Sequence, residues 1–307
     1  MEYRSNVLTV LNSYQNGGKT LLTTLLAEYC AREGQRVLII DLSLRCSATN
    51  IWIGMDVDES SIAGQLPPKH PDYEPGDMEI CERSSVVDLW DGYAVLPHST
   101  RVSPETGYSG RVDVLAGHPE KLEAIVSKYS INCGTTASKI IRRFREVIHS
   151  EEVASEYDII IVDTGPSRNA VYWAALRAAT YSVIPIELET KALSCLNAVL
   201  QSITADNMSR PLGAPHNNVV SLIPNRVKMN TNIHITQMKE FYETVPALMP
   251  PRWVYLPESS VYSALNMKGF ASEGLHQIKE GRCNEQQAAG LVCQSVYGRI
   301  YSSGTFA

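Results

Sequence analysis

Residues 7–43 read VLTVLNSYQNGGKTLLTTLLAEYCAREGQRVLIIDLS. Val7 to Leu11 is a short β-branched and apolar run that stops at Asn12 and Ser13, which predicts a strand. Gly17 and Gly18 follow, then a helical pattern from Lys19 to Glu33 that Gly34 ends. Arg36 to Leu42 is apolar without alternation, as in a parallel strand buried on both faces. Strand, glycine loop, helix and strand make a βαβ unit. Further strands are expected at Val112–Ala116, Ile159–Val162, Tyr181–Ile186 and Val219–Ile223, with helices near 135–149, 169–178, 191–205, 232–243 and 285–301. Such alternation predicts an α/β fold of three layers, a mostly parallel sheet with helices on both faces.

The chain has 307 residues, 44% hydrophobic and 20% charged, enough apolar side chains for a buried core and too few charges for disorder. Length allows one large domain or two. The pattern weakens from Met55 to about Ser109, where Pro67, Pro68, Pro71 and Pro75 stand among acids. We read residues 1–307 as a single nucleotide-binding domain carrying an acidic insertion at about 56–110, a mobile surface excursion. Seven scattered cysteines without a Cys-x-x-Cys pair argue against a disulfide framework or a zinc site. The polar N-terminus and the lack of a long apolar run give no sign of secretion or membrane spanning, so a cytoplasmic protein is expected.

Charge is uneven. Against a formal total of -6, residues 56–91 hold ten acids and only Lys69 and Arg83 as bases, whereas residues 208–307 hold nine Lys/Arg against six Glu. The acidic total speaks against nucleic acid, but contacts are decided locally, so the basic last third keeps that class open.

Ser13-Tyr14-Gln15-Asn16-Gly17-Gly18-Lys19-Thr20 has P-loop spacing, with Ser13 in place of the first glycine. Successive backbone N–H groups and the helix N-terminus would surround a triphosphate, with Leu21 in the same turn, Lys19 on the outer phosphates and Thr20 on Mg²⁺. A second apolar strand, Tyr157-Asp-Ile-Ile-Ile-Val-Asp163, delivers Asp163 to the same sheet edge. Asp163 would hold Mg²⁺ through water, and Asp41, ending the second strand, would support Thr20 and the metal shell. The expected ligands are ATP or ADP with Mg²⁺.

With Asp-Thr-Gly-Pro-Ser at 163–167 and Ala-Ala-Thr-Tyr-Ser-Val-Ile-Pro at 178–185, these stretches resemble the ParA/MinD family of deviant Walker ATPases, and its ParA-type partition branch in particular. About two-thirds of the chain takes part, in the family's order; the acidic insertion lies outside. The resemblance implies an ATP-dependent sandwich homodimer that binds nonspecific DNA on the nucleoid. It would release DNA after hydrolysis stimulated by a ParB-like adaptor, and so position a plasmid, chromosome or other large cargo. It also places adenine near Asn225 and Arg226 and near the loop with Pro257. Two departures bear on turnover. Tyr14 stands where the family's signature lysine reaches the partner's phosphates, as in McdA-like branches without that lysine. Ser43 stands where a second Asp positions the attacking water, and a hydroxyl carries no charge to orient it. Losing a transition-state charge can cost on the order of 10³-fold in rate, so hydrolysis is expected to be weak or adaptor-dependent, with Lys19, Asp41, Ser43, Asp163 and Lys191 as catalytic candidates. Lys191 is the candidate substitute for the missing lysine, because the resemblance puts its segment at the dimer face.

For DNA the candidate charges are Arg226, Lys228, Arg252, Lys268, Lys279, Arg282 and Arg299, whose phosphate contacts would be salt-sensitive and independent of sequence. The helix Lys139–Arg145, the densest basic cluster, fits an amphipathic core helix with an exposed basic side and could equally face DNA. A scaffold with a nucleotide that is bound and not hydrolysed, working through protein partners, is the alternative. The seven histidines are dispersed and each is expected at the surface, so no extra constellation supports a carboxylate-activating synthetase. A membrane anchor is disfavoured because the tail from Gln286 to Ala307 has Arg299 as its one cation.

Overall fold

The computed structural model describes residues 4–129, 134–262 and 283–301. Strands β1 (Val7–Val10), β2 (Arg36–Leu42), β3 (Asp56–Val57), β4 (Gln65–Leu66), β5 (His98–Ser99), β6 (Arg111–Leu115), β7 (Ile159–Thr164), β8 (Tyr181–Glu187) and β9 (Asn218–Asn225) alternate with helices. These are α1 (Lys19–Arg32), α2 (Ser47–Trp52), α3 (Asp88–Asp91), α4 (Pro119–Lys128), α5 (Gly134–Ile148), α6 (Glu151–Glu156), α7 (Ala170–Ala178), α8 (Thr190–Met208), α9 (Asn232–Thr244) and α10 (Cys283–Tyr301).

Seven strands form one sheet in the order β5-β6-β2-β7-β1-β8-β9, all parallel except β5, which pairs antiparallel with β6. Every strand expected from the sequence is present, and the fold is the three-layer α/β arrangement expected. One face packs Leu8, Val10, Val37, Ile39, Ile159 and Ile161 against α1, α2 and α10. The other packs Leu38, Ile40, Ile160 and Val162 against α4, α5 and α7, while Ile184, Ile186 and Leu222 meet α7 and α8. Alternate residues of each strand thus enter opposite layers, which is why these strands read as unbroken apolar runs. Helix α1 is buried nearly all round. Its polar Glu28 is fully buried, bonded to Arg32 and accepting a hydrogen bond from the Tyr108 hydroxyl at 3.1 Å.

Residues 56–83 of the acidic insertion lie almost entirely at the surface, and the departure from the expected surface excursion begins after them. Ser84 to Leu89 is buried, with Asp88 accepting from the backbone and hydroxyl of Ser85 and from Lys121 at 2.5 Å. His98 lies in β5, which extends the sheet. Its proline-rich, acidic composition hid a short apolar segment, Val86-Val87-Asp88-Leu89, that covers the sheet beside α5. The histidine expectation fails for four residues: His70, His98, His118 and His149 are buried. Among the described residues, no helix is long and apolar enough to cross a membrane.

Parallel register carries Val10, Asp163 and Asp41 into one row across β1, β7 and β2. The chain leaving β1 therefore enters its glycine loop beside the two strand-ending carboxylates.

Candidate nucleotide-binding site

The loop between β1 and α1 is built by its own side chains. Asn12 donates to the Pro185 carbonyl at 2.6 Å and accepts from the Tyr14 N–H at 2.6 Å, so it ties the loop entry to β8. Asn16 and Gly18 adopt left-handed φ of 59° and 82°. A Cβ on Gly18 would lie 2.1 Å from Asn225 Nδ2, and one on Gly17 would lie 2.5 Å from Asn12 Nδ2. Gly18 is favoured by its left-handed φ as well as by this approach, whereas at Gly17 a Cβ would displace only the Asn12 amide. Its left-handed Gly18 turns the chain directly into α1, whose first N–H groups lie at an anion-attracting helix end.

Lys19 is 7% exposed, with its ammonium donating to the Tyr14 carbonyl at 3.1 Å. Burial lowers its pKa, opposed by the attraction of Asp163. Thr20 donates its hydroxyl to Asp163 Oδ2 at 2.8 Å, and Thr23 donates to Oδ1 at 3.4 Å. Fully buried, Asp163 is pushed up to about 7 by desolvation and by neighbouring Asp41, against the hydroxyl of Thr20 and the charge of Lys19. A buried carboxylate with hydroxyl ligands and one cation at hand suits a divalent cation, which would restore the anionic form.

Asp41 plays a different structural part from the one expected. Its carboxylate accepts from the Ser43 N–H at 3.0 Å, the Thr49 N–H at 2.9 Å and the Thr49 hydroxyl at 3.0 Å, and it is fully buried. Thr49 Oγ1 in turn accepts from the Gly117 N–H at 2.9 Å. Thr20 pairs with Asp163, so Asp41 fixes the loop after β2 and joins it to the loop after β6. Desolvation raises its pKa, and the Thr49 and Ser43 donors oppose that. Ser43 is 7% exposed and its Oγ accepts from the Ser47 N–H at 3.4 Å.

A cleft of about 1040 Å³ opens over these groups, lined by residues 15–21, the loop 42–45, Thr164 to Ser167, Asn225, Arg226 and Pro257 to Ser260. Ser13 and Tyr14 stand outside this lining, and Ser13 Oγ is buried without a hydrogen-bond partner among the described residues. Asn225 lies beneath the loop and donates to the Gly17 carbonyl at 3.2 Å, so its amide N–H serves the loop; its Oδ1, buried, has no partner among the described residues. Arg226 has φ 55° and pairs with Glu187 at 3.5 Å and Glu258 at 3.6 Å. The glycine cradle, the Thr20–Asp163 pair and this unspent acceptor fit a magnesium nucleotide.

The DNA candidates are scattered. Lys228 pairs with Glu258 at 2.9 Å, Arg252 is exposed, and Arg299 turns inward to donate to the carbonyls of Val220, at 2.6 Å, and Met249, which removes it from the set. Lys268, Lys279 and Arg282 lie outside the described residues, as does the side chain of Lys191 in the first turn of α8. Sequence reasoning missed Asn12, Thr23, Thr49 and Arg45. Thr23 was legible as one helical turn beyond Thr20; Arg45 follows Ser43 by two; the others needed tertiary neighbours.

The family profile described as "AAA domain" matches residues 120–210, from α4 past the end of α8. Over 197 residues the chain is 25% identical to sporulation initiation inhibitor protein Soj of Bacillus subtilis (strain 168); the match spans 64% of this chain and 64% of that relative, just under two thirds of its length. In fold it is similar to McdA of Cyanothece in complex with ATP, with TM-score 0.67 and 18% identity over 97% of this chain and 96% of that one. It is likewise similar to pNOB8 ParA bound to nonspecific DNA, with TM-score 0.59 and 18% identity over 97% and 99%.

Proposed function

We propose that this ParA/MinD-like chain is a nucleotide-switched positioning protein: a single nucleotide-binding domain that takes ATP with Mg²⁺ at the β1–α1 loop, dimerises over it and holds nonspecific DNA while a large cargo is moved. The observation that carries the reading is the cradle itself. Gly18 takes a left-handed φ and both Gly17 and Gly18 pass close under Asn side chains, the loop opens onto the N-terminus of a 14-residue helix, and Thr20 and Asp163 meet beneath it. That donor set binds phosphate through backbone N–H groups and a divalent cation through oxygen.

Lys19 would neutralise the outer phosphates, Thr20 and Asp163 would hold the metal, and Asp41 would act indirectly by keeping the Ser43 loop in place. When bound, the metal neutralises charge developing on the transferred phosphoryl group. In this reading Asn225 and Pro257, which line the β9 side of the cleft, would meet the base. Support for DNA comes from the fold shared with pNOB8 ParA, which was solved on nonspecific DNA, and from exposed Arg252; the cargo-positioning role rests on the ParA-type resemblance of the sequence. A ParB-like adaptor and a cytoplasmic, nucleoid-associated setting belong to the same reading.

Turnover is slow in this proposal, since Tyr14 and Ser43 replace an ammonium and a carboxylate. A second reading, nucleotide held without hydrolysis by a scaffold that acts through proteins, is favoured by one observation: Ser43, 7% exposed on the loop after β2, brings a neutral hydroxyl where the resemblance calls for a carboxylate. Calorimetric titration with Mg²⁺ and ATP tests the shared premise, and absence of binding at millimolar ligand would sink both readings. Phosphate release with and without DNA separates them: release above background supports the switch, and ATP retained for hours supports the scaffold.

A further inference from the structure

From the charges that line the cleft, we infer that Arg45 is a phosphate-binding residue of this site and grips the terminal phosphate of the nucleotide from the loop after β2. The inference rests on the nucleotide reading above and adds a residue to it.

Four charged side chains line the cleft: Lys19, Arg45, Arg226 and Glu258. Lys19 faces the Tyr14 carbonyl and is balanced by Asp163. Arg226 is spent on Glu187 and Glu258. Arg45 is exposed and has no ion pair among the described residues, so its charge is the uncompensated one in the lining. A triphosphate with one magnesium ion keeps net negative charge, and Tyr14 contributes none of the compensation that an ammonium would.

The loop that bears Arg45 is held firmly. Asp41 accepts three hydrogen bonds from Ser43 and Thr49, the Cys46 N–H donates to the Ser43 carbonyl at 2.9 Å, and Cys46 takes a left-handed φ of 47°. Ser43 and Cys46 are thereby buried while Leu44 and Arg45 project as an exposed turn. A guanidinium on a fixed turn loses less freedom on binding and can grip phosphate with two parallel N–H groups.

Sheet order decides which phosphate it meets. From β2 the strands run β7, β1, β8 and β9, so the Arg45 loop and the Asn225–Pro257 wall stand on opposite sides of the glycine loop, four strand spacings or roughly 19 Å apart. With the base on the β9 side and the phosphates across the glycine loop at β1, the chain of phosphates ends toward β2. Arg45 therefore separates ATP from ADP.

The test is titration of fluorescent N-methylanthraniloyl ATP and ADP, with Mg²⁺, into the wild-type chain, Arg45→Ala and Arg45→Lys, with thermal unfolding as a check on folding. Arg45→Ala is expected to weaken ATP about tenfold or more and leave ADP within about twofold, with Arg45→Lys between, since a charge-assisted hydrogen bond contributes roughly that much. Equal affinities for wild type and Arg45→Ala would overturn the inference, and so would an equal loss of both nucleotides. Wild type that binds neither nucleotide would instead bring down the nucleotide reading on which it stands.

Discussion

Thr20 donates its hydroxyl to Asp163 Oδ2 at 2.8 Å across 143 positions of sequence, from the first turn of one helix to the end of a strand neighbouring the one that precedes it. This pair turns two separate motifs into one oxygen-lined corner beneath the glycine loop. Replacing Asp163 by Asn keeps shape and removes the charge a divalent cation needs. Asp163→Asn should lower Mg²⁺-dependent nucleotide affinity by about 10- to 100-fold, while binding measured in EDTA changes little; equal loss in both conditions would show that the side chain serves the loop and not the metal.

The Gly18 position is constrained twice, by its φ of 82° and by Asn225 Nδ2, 2.1 Å from where a Cβ would sit. Gly18→Ala should cost at least 1–2 kcal/mol of stability, roughly the left-handed penalty alone, and abolish nucleotide binding. Combining it with Asn225→Ala should recover part of the stability by removing the collision. Full additivity in that double-mutant cycle would mean that the two side chains do not meet.

Three buried histidines make the fold acid-sensitive. Burial takes His98, His118 and His149 down to about 4, from a usual 6.5. His149 Nδ1 accepts from the Ser5 N–H at 3.2 Å and its Nε2 lies 2.8 Å from the Ala178 carbonyl, an arrangement that uses the neutral ring. Below pH 6.5 the unfolded chain takes up protons that the folded chain refuses, so stability falls as pH drops from about 6.5 to about 4 and levels off below. Each unit of difference corresponds to about 1.4 kcal/mol. The Tm should decline across that window, more gently in His149→Gln; a decline identical in the variant would remove His149 from the account.

Thr49 links two loops, donating to Asp41 at 3.0 Å and accepting from the Gly117 N–H at 2.9 Å. Thr49→Val preserves volume and leaves a buried carboxylate oxygen and a buried N–H each short of one partner. A loss of about 2–4 kcal/mol is expected, at about 1–3 kcal/mol for each unsatisfied group, readable as a lower urea midpoint with an unchanged m value.

For DNA, the exposed Arg252 and the paired Lys228 should behave differently. Arg252→Ala is expected to reduce the slope of log K against log salt by about 1 per chain, whereas Lys228→Ala, whose ammonium is held by Glu258 at 2.9 Å, should change it less. Fluorescence anisotropy with a nonspecific duplex at several salt concentrations measures both, and the reverse order would exclude this face.

Legibility followed physical locality. Six of the seven strands of the sheet were readable because burial on two faces leaves unbroken apolar runs such as Arg36–Leu42 and Ile159–Val162, whereas the two-residue edge strand β5 leaves no such run. The glycine loop was readable because close approach and left-handed φ admit almost nothing else. Helices α4 and α6 escaped notice: α4 buries only Leu122 and Ile125, α6 buries nothing, and each starts from a capping side chain, His118 and Ser150 respectively. The segment 84–89 was hidden by acidic neighbours that solvate its flanks.

By itself, the sequence determined which residues stand as candidates for phosphate and metal, because the spacing of Gly17, Gly18, Lys19 and Thr20 and the carboxylate chemistry of Asp163 are local properties. Tertiary structure alone decided how those groups share the work. Strand order set Asp163 against Thr20 and turned Asp41 toward Thr49, and it put Asn225 under the loop and Arg45 across the cleft from it. A hydrogen bond depends on distances of a few tenths of an ångström, and distances between residues more than a hundred positions apart exist only once the sheet has formed.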